Sequence, residues 1–133
     1  MRHIGLGTFC TQRPGRADRR RFTFKNWHYL VEARWRKRKA DAQDLDGLQG
    51  KVSRSGKQTM GMFLSIEGWS EHVVPLLKQN TSKAIILMDG YDLRTVLEEQ
   101  TDLAGLLDAK VTRLNLFGEP FFSAAQYIRS QDR

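Results

Sequence analysis

The chain has one cysteine, Cys10, among 133 residues. An internal disulfide needs a pair, and a thiolate zinc knuckle needs neighbours of its own kind, so both are excluded. A reducing cytoplasm is the simplest setting for such a chain. Nothing near Cys10 in sequence looks like a base that would make it a nucleophile. Long apolar runs are missing too: no stretch approaches the about 20 residues that cross a bilayer. The first residues carry scattered arginines and no continuous apolar core, which is not the pattern of a secretory signal. The three histidines, His3, His28 and His72, are dispersed, and no two have the spacing of helical metal ligands. There is no Walker-type loop, and Gly5-Leu6-Gly7 lacks the strand and helix that a dinucleotide fingerprint requires. No internal repeat or low-complexity linker is visible.

What is present is a composition suited to one globular domain. The hydrophobic fraction is 40% and the charged fraction 28%, enough apolar material for a real core. The charge is unevenly placed. Up to Lys39 there are 12 basic residues against the two acids Asp18 and Glu32, a net of +10, so the remainder of the +7 chain carries −3. A basic end on a mildly acidic body suits a polyanion such as nucleic acid. The plainer reading is a solvated basic tail without a specific partner.

Residues 1–21 combine glycines, Pro14 and many arginines without a period, which predicts an irregular, disordered basic arm. Phe22-Thr23-Phe24 alternates and starts a strand, Lys25-Asn26 suits a tight hairpin turn, and Trp27 to Trp35 returns as a strand. Asp41 to Val52 reads as a helix with acids in its first turn and a stripe of Leu45, Leu48 and Val52. Gly47 and Gly50 weaken it and suggest the close approach of a neighbour. Met60 to Ile66 and Lys83 to Asp89 are apolar strands. Ser70 suits an N-cap for a helix from Glu71 to Asn80. Gly90-Tyr91 reads as a turn, Asp92 to Gln100 as a helix with Leu93, Val96 and Leu97 inward, and Thr101-Asp102 as the cap of a helix through Lys110 to Leu114. A short helix is expected near Ala124 to Ile128. Strands alternating with helices imply an α/β sandwich with at least partly parallel strands.

The segment Trp27-His28-Tyr29-Leu30-Val31-Glu32-Ala33-Arg34-Trp35 places an acid inside a buried strand. Glu32 and Arg34, two residues apart, face the same side. An acid and a cation held together in this way suit a metal-dependent phosphodiesterase, and equally suit an ordinary ion pair. Trp35, between Arg34 and Arg36, suits stacking on a base or a guanidinium, whereas Trp27 and Trp69 suit the core. Asp89, Gly90 and Asp92 form an acidic turn that an N-cap explains without a metal.

Tyr29-Leu30-Val31-Glu32-Ala33-Arg34-Trp35-Arg36-Lys37, then Gly50-Lys51-Val52, Gly61-Met62-Phe63-Leu64-Ser65-Ile66 and Gly68-Trp69-Ser70 resemble the Mrr-like restriction endonucleases of the PD-(D/E)xK nuclease superfamily. Ile85 to Leu93 resembles that group's later strand and helix entry. The resemblance spans about Phe22 to Gly118 and rests on order and spacing more than on one motif. It implies a mixed sheet flanked by helices, a domain over 22–133, and Mg²⁺- or Mn²⁺-dependent cleavage of DNA in restriction or phage defence, with a homodimer open. Glu32 then stands as a metal carboxylate, the Ala33 backbone carbonyl as a further ligand, and Arg34 in the place of the usual catalytic lysine. Arg36, Lys37, Arg38, Lys39 and Ser65 would contact DNA.

Two departures stand out. Arginine binds phosphate through a planar fork but does not exchange its proton near neutral pH, so Lys51, on the face of Gln43 and Gly47, is the candidate ammonium. The family's upstream metal-binding Asp, in an Ile-Asp-Gly setting, has no clear counterpart; Asp18 is the nearest acid and sits among arginines. Codons for Gly15-Arg16-Ala17-Asp18-Arg19-Arg20, read one base later, can spell Ala-Glu-Gln-Ile-Asp-Gly, which suggests a shifted frame before Phe22. A lone carboxylate holds Mg²⁺ poorly. The readings open from sequence are therefore a nuclease, a non-catalytic DNA-binding remnant of the same fold, and a protein-interaction module in the acidic C-terminal half.

Overall fold

A computed structural model gives the fold of residues 18–79 and 84–131, with backbone alone for 18 and 19. The expectations for residues 1–17, including Cys10 and the upstream part of the shifted-frame segment, fall outside these residues. The described chain is mixed α/β. A four-stranded sheet has the order β1 (Asp18–Phe24), β2 (Trp27–Arg34), β3 (Thr59–Ser65), β4 (Ile85–Asp89). The first pair is antiparallel and the other two are parallel.

The β1–β2 hairpin turns through Lys25 and Asn26, both with positive φ, at 52° and 68°. Two left-handed residues match the twist of the flanking strands. The first strand begins at Asp18 and not at Phe22, so residues 18–21 belong to the sheet. Arginines with no apolar period hide a strand whose pairing comes from its partner, which is a tertiary effect on propensity.

Alternation along the parallel strands divides the core in two. Met60, Met62, Leu64, Ile86 and Met88 face helices α4 (Leu103–Phe117) and α5 (Ala124–Gln131) through Leu106, Leu107, Leu114 and Ala124. Phe63, Ile85 and Leu87 face α1 (Ala42–Arg54) and α2 (Val73–Gln79) through Leu45, Leu48, Val52, Val73 and Leu77. Each such aliphatic side chain removed from water stabilises the fold by roughly 1.5–3 kcal/mol. The apolar strands expected from sequence are covered on both faces.

Close packing falls elsewhere than the sequence suggested. A Cβ on Gly47 would meet nothing within 4 Å, and one on Gly50 would meet the Arg54 guanidinium. The tight contact is at Gly61, where a Cβ would lie 3.0 Å from Val52 and 3.2 Å from Leu48, so the sheet glycine and not the helix glycines brings α1 down. Gly90 is tighter still, because a Cβ would collide with the Ile66 carbonyl oxygen. Gly90 and Tyr91 open α3 (Gly90–Leu97) and do not form a separate turn, with Asp89 capping the Asp92 N–H at 2.8 Å. Leu97 is exposed, while Leu93 and Val96 pack inward. Helix α2 starts at Val73, after a turn in which the Ser70 carbonyl accepts from Val73.

The open edge of β4 is covered by the α4–α5 connection, whose Pro120 carbonyl accepts from the Leu87 N–H at 3.0 Å. Trp69 packs edge-on against Phe121 in the α1-side cluster, and Trp27 packs at the α4-side cluster. No described helix is long and apolar enough to cross a membrane.

Candidate functional site

Parallel pairing aligns three strand ends. Glu32 pairs with Phe63, and Arg34 with Ser65, which in turn pairs with Asp89. Phe63 lies on the face covered by α1, so Glu32 and Arg34 emerge between β2 and the start of that helix. Glu32 is almost fully buried, at 2% exposure. Arg34 Nη2 lies 2.7 Å from Glu32 Oε2, and the guanidinium carbon sits 5.9 Å from the centre of the Phe63 ring. The shared face of Glu32 and Arg34 is as the sequence implied, and the ion pair is direct.

Asp44 is the residue the sequence reading missed. It is the third residue of α1 and shares a capping box with Asp41: the Asp44 N–H donates to Asp41 Oδ1 and the Asp41 N–H to Asp44 Oδ2. Its carboxylate also gathers three arginines. Arg36 Nη2 donates to Oδ1 at 2.8 Å, Arg34 Nε lies 3.8 Å from Oδ1, and Arg38 Nη1 lies 3.8 Å from Oδ2. Burial pushes the Asp44 carboxyl up, but the Asp41 backbone N–H and the guanidiniums of Arg36 and Arg34 outweigh it and hold the group below its ordinary 3.8. The signal for it in sequence is the pair of acids three apart opening a helix, which reads as capping and gives no hint of the arginines.

Three polar atoms here are buried without a hydrogen-bond partner: Arg34 Nε, Arg36 Nε and the Ser65 hydroxyl. Unpaired buried polar atoms are uncommon in native folds, and donors clustered in this way suit an oxyanion or an ordered water. Lys37, Arg38 and Lys39 are exposed beside them.

Lys51 is not brought to this cluster. It is half-buried two turns along α1, on the side of exposed Gln43 and Gly47 and away from the packed stripe. Among the described residues no hydrogen bond or ion pair links it to Glu32 or Arg34. The helix residue that faces Glu32 and Arg34 is Asp44, because the apolar stripe fixes the helix rotation.

The divalent cation that the resemblance implies does not fit the described donors. Arg34 occupies Glu32, three arginines surround Asp44, and Ala33 is paired on both sides, with Asp18 and with Leu64, so its carbonyl lies in the plane of the sheet. Asp18 is opposite Ala33 and one step out of register with Glu32, whose partner is Arg19. Among the described residues no group of three His, Cys, Asp or Glu is placed to hold a metal ion. A hard cation needs several oxygen ligands and is repelled by fixed guanidiniums.

A second buried polar cluster lies at β4. Lys110, at 1% exposure, donates to the carbonyls of Leu87 at 2.7 Å and Phe122 at 2.8 Å and to Asp92 Oδ2 at 2.9 Å. Asp92 Oδ1 accepts from the Ala124 N–H at 2.8 Å. All three donors of the ammonium are used. Burial lowers the Lys110 pKa against the pull of Asp92, and burial together with the neighbouring Asp92 raises that of Asp89. This cluster ties β4, α3, α4 and α5 together and is structural. The acidic turn thus resolves into a cap, Asp89, and an ion-paired anchor, Asp92.

Compared with protein-family models, curated proteins and solved structures, the chain matches none.

Proposed function

We propose that this chain is a DNA-binding domain on a restriction-endonuclease-like core, and that it holds backbone phosphates without cutting them. The antiparallel hairpin, the helix over β2 and β3 and the two parallel strands support the architecture. One observation carries the function: Asp44 holds the Arg36 guanidinium at 2.8 Å and draws Arg34 and Arg38 to 3.8 Å at the start of α1, beside exposed Lys37 and Lys39. Asp44 removes the freedom that long cationic side chains otherwise lose on binding. A guanidinium fork then meets a phosphate in bidentate geometry. Glu32 does not oppose this, since Arg34 neutralises it.

Fluorescence anisotropy with a labelled duplex, titrated with salt, tests the reading. Binding should weaken steeply with salt, by a slope of about 0.9 for each phosphate neutralised. Replacing Arg36 and Arg38 together by Ala should lower both affinity and slope. Retention of no DNA at low salt would sink the proposal and favour a protein-interaction role.

A metal-dependent endonuclease of the Mrr-like type, using Mg²⁺ or Mn²⁺ and working as a homodimer, is the second reading. The buried acid of Glu32 with a cation two residues on favours it. Incubation of plasmid with either metal separates the two. Cleavage that Glu32→Ala abolishes, with the fold intact, supports the nuclease; binding without product supports the non-catalytic domain.

A further inference from the structure

We propose that Trp35 is a stacking platform for an unpaired base, so that this domain prefers single-stranded DNA to duplex. The inference rests on the DNA-binding reading and names the form of DNA that the same site takes.

The three tryptophans have different surroundings. Trp27 and Trp69 are half-buried and packed against the two core clusters. Trp35 is 49% exposed, and among the described residues no ring stacks on it and no cation lies over it. Tyr91, at 50%, and Phe117, at 62%, are as exposed; what sets Trp35 apart is its place between the cations Arg34, Arg36 and Lys37.

Its neighbours define what would cover it. Arg34 and Arg36 reach inward to Asp44, while Arg38 stays exposed with Nη1 3.8 Å from the Asp44 carboxylate. The residues between them, Trp35 and Lys37, and then Lys39, are exposed. The segment therefore holds two cations anchored to α1, Arg34 and Arg36, and a solvent-facing set of one indole, the Lys37 and Lys39 ammonium groups and the Arg38 guanidinium. Ammonium groups suit phosphates, and an indole face suits a base, whatever its identity. An acidic protein surface would match the charge without needing the aromatic between the cations, and a membrane would ask for an apolar face wider than one indole. In duplex DNA the base faces are already stacked, so the indole gains nothing there. In a single strand they are free.

The test uses the full chain, a labelled single-stranded oligothymidine of about 16 nucleotides, which covers an ordinary site, and a duplex of the same length. Anisotropy is measured for the parent, Trp35→Ala and Trp35→Phe, with circular dichroism to check folding. At 49% exposure Trp35 is outside the core, so its substitution leaves the fold in place, and Trp35→Phe keeps an aromatic ring. The parent should bind the single strand more tightly. Trp35→Ala should weaken single-strand binding about tenfold, leave duplex binding nearly unchanged, and Trp35→Phe should retain most of the affinity. Equal losses on both DNAs, or none on either, overturn the stacking role while leaving phosphate binding intact. Binding to neither DNA overturns this inference together with the reading beneath it.

Discussion

Arg34 Nη2 lies 2.7 Å from Glu32 Oε2, two residues along one strand, with the carboxylate almost wholly out of water. A cation on the same strand offsets the burial of this acid. Arg34→Met should therefore destabilise the protein by about 3 kcal/mol, because it removes a cation 2.7 Å from a buried carboxylate. Glu32→Gln should cost less, since Arg34 keeps Asp44. Urea unfolding of the two variants measures both. A loss below about 0.5 kcal/mol for Arg34→Met would place the pair among screened surface contacts.

Asp44 gives a pH-dependent prediction. Its folded pKa is depressed below the ordinary 3.8, so its stabilisation is complete above the unfolded value and fades as pH falls through the folded one. Asp44→Asn should cost about 1 kcal/mol near pH 7, in the range of a helix cap. Unfolding curves of parent and variant should converge on acidification through the low-carboxylate range. A gap that persists unchanged in acid would show that the charge is not what matters.

Lys110→Met should be the most damaging single change, at about 3–5 kcal/mol, since it strands Asp92 inside the core. Lys110→Met with Asp92→Asn should recover part of the loss, and a double-mutant cycle in urea reads the coupling. Strictly additive losses would contradict the geometry.

The glycines separate in sign. Gly47→Ala should stabilise by about 0.5–1 kcal/mol, because the residue is exposed in mid-helix with open space around it. Gly61→Ala should destabilise by about 1–3 kcal/mol through overpacking against Val52 and Leu48. Thermal melts of the two variants should move in opposite directions.

Position 19 connects the ladder to the reading frame. Arg19 is the Cα partner of Glu32, and in the sextet spelled by the shifted frame the Asp falls fifth, at position 19. Arg19→Asp should add a second carboxylate across from Glu32 and make the melting temperature rise with Mg²⁺, as ligand linkage requires. A melting temperature indifferent to Mg²⁺ in that variant would mean that the Glu32–Arg34 pair blocks the metal by itself.

Much of the chain was legible without a structure, and the reason is local. Strands β2, β3 and β4 are dense in aromatic, branched and other apolar residues, the stripe of α1 is periodic with acids in its first turn, and Asp102 caps a helix where an acid precedes an apolar run. The tight turn at Lys25-Asn26 is visible from its place between two strand-like segments. These features depend on neighbours a few residues away.

Other features depend on what lies across the sheet. Residues 18–21 become a strand only through pairing with β2. Lys110 and Asp92 are 18 positions apart in sequence and meet because α4 passes β4. The rotation of α1 is set by burying Leu45, Leu48 and Val52, and that same rotation sends Asp44 to the arginines and turns the face of Gln43, Gly47 and Lys51 away. The sequence by itself determined an α/β chain with a buried acid and a cation on one strand and a basic segment after it. The tertiary structure alone decided that Asp44 organises those cations, since which side chains share a site depends on helix rotation and strand register, and both are fixed by burial across the whole core.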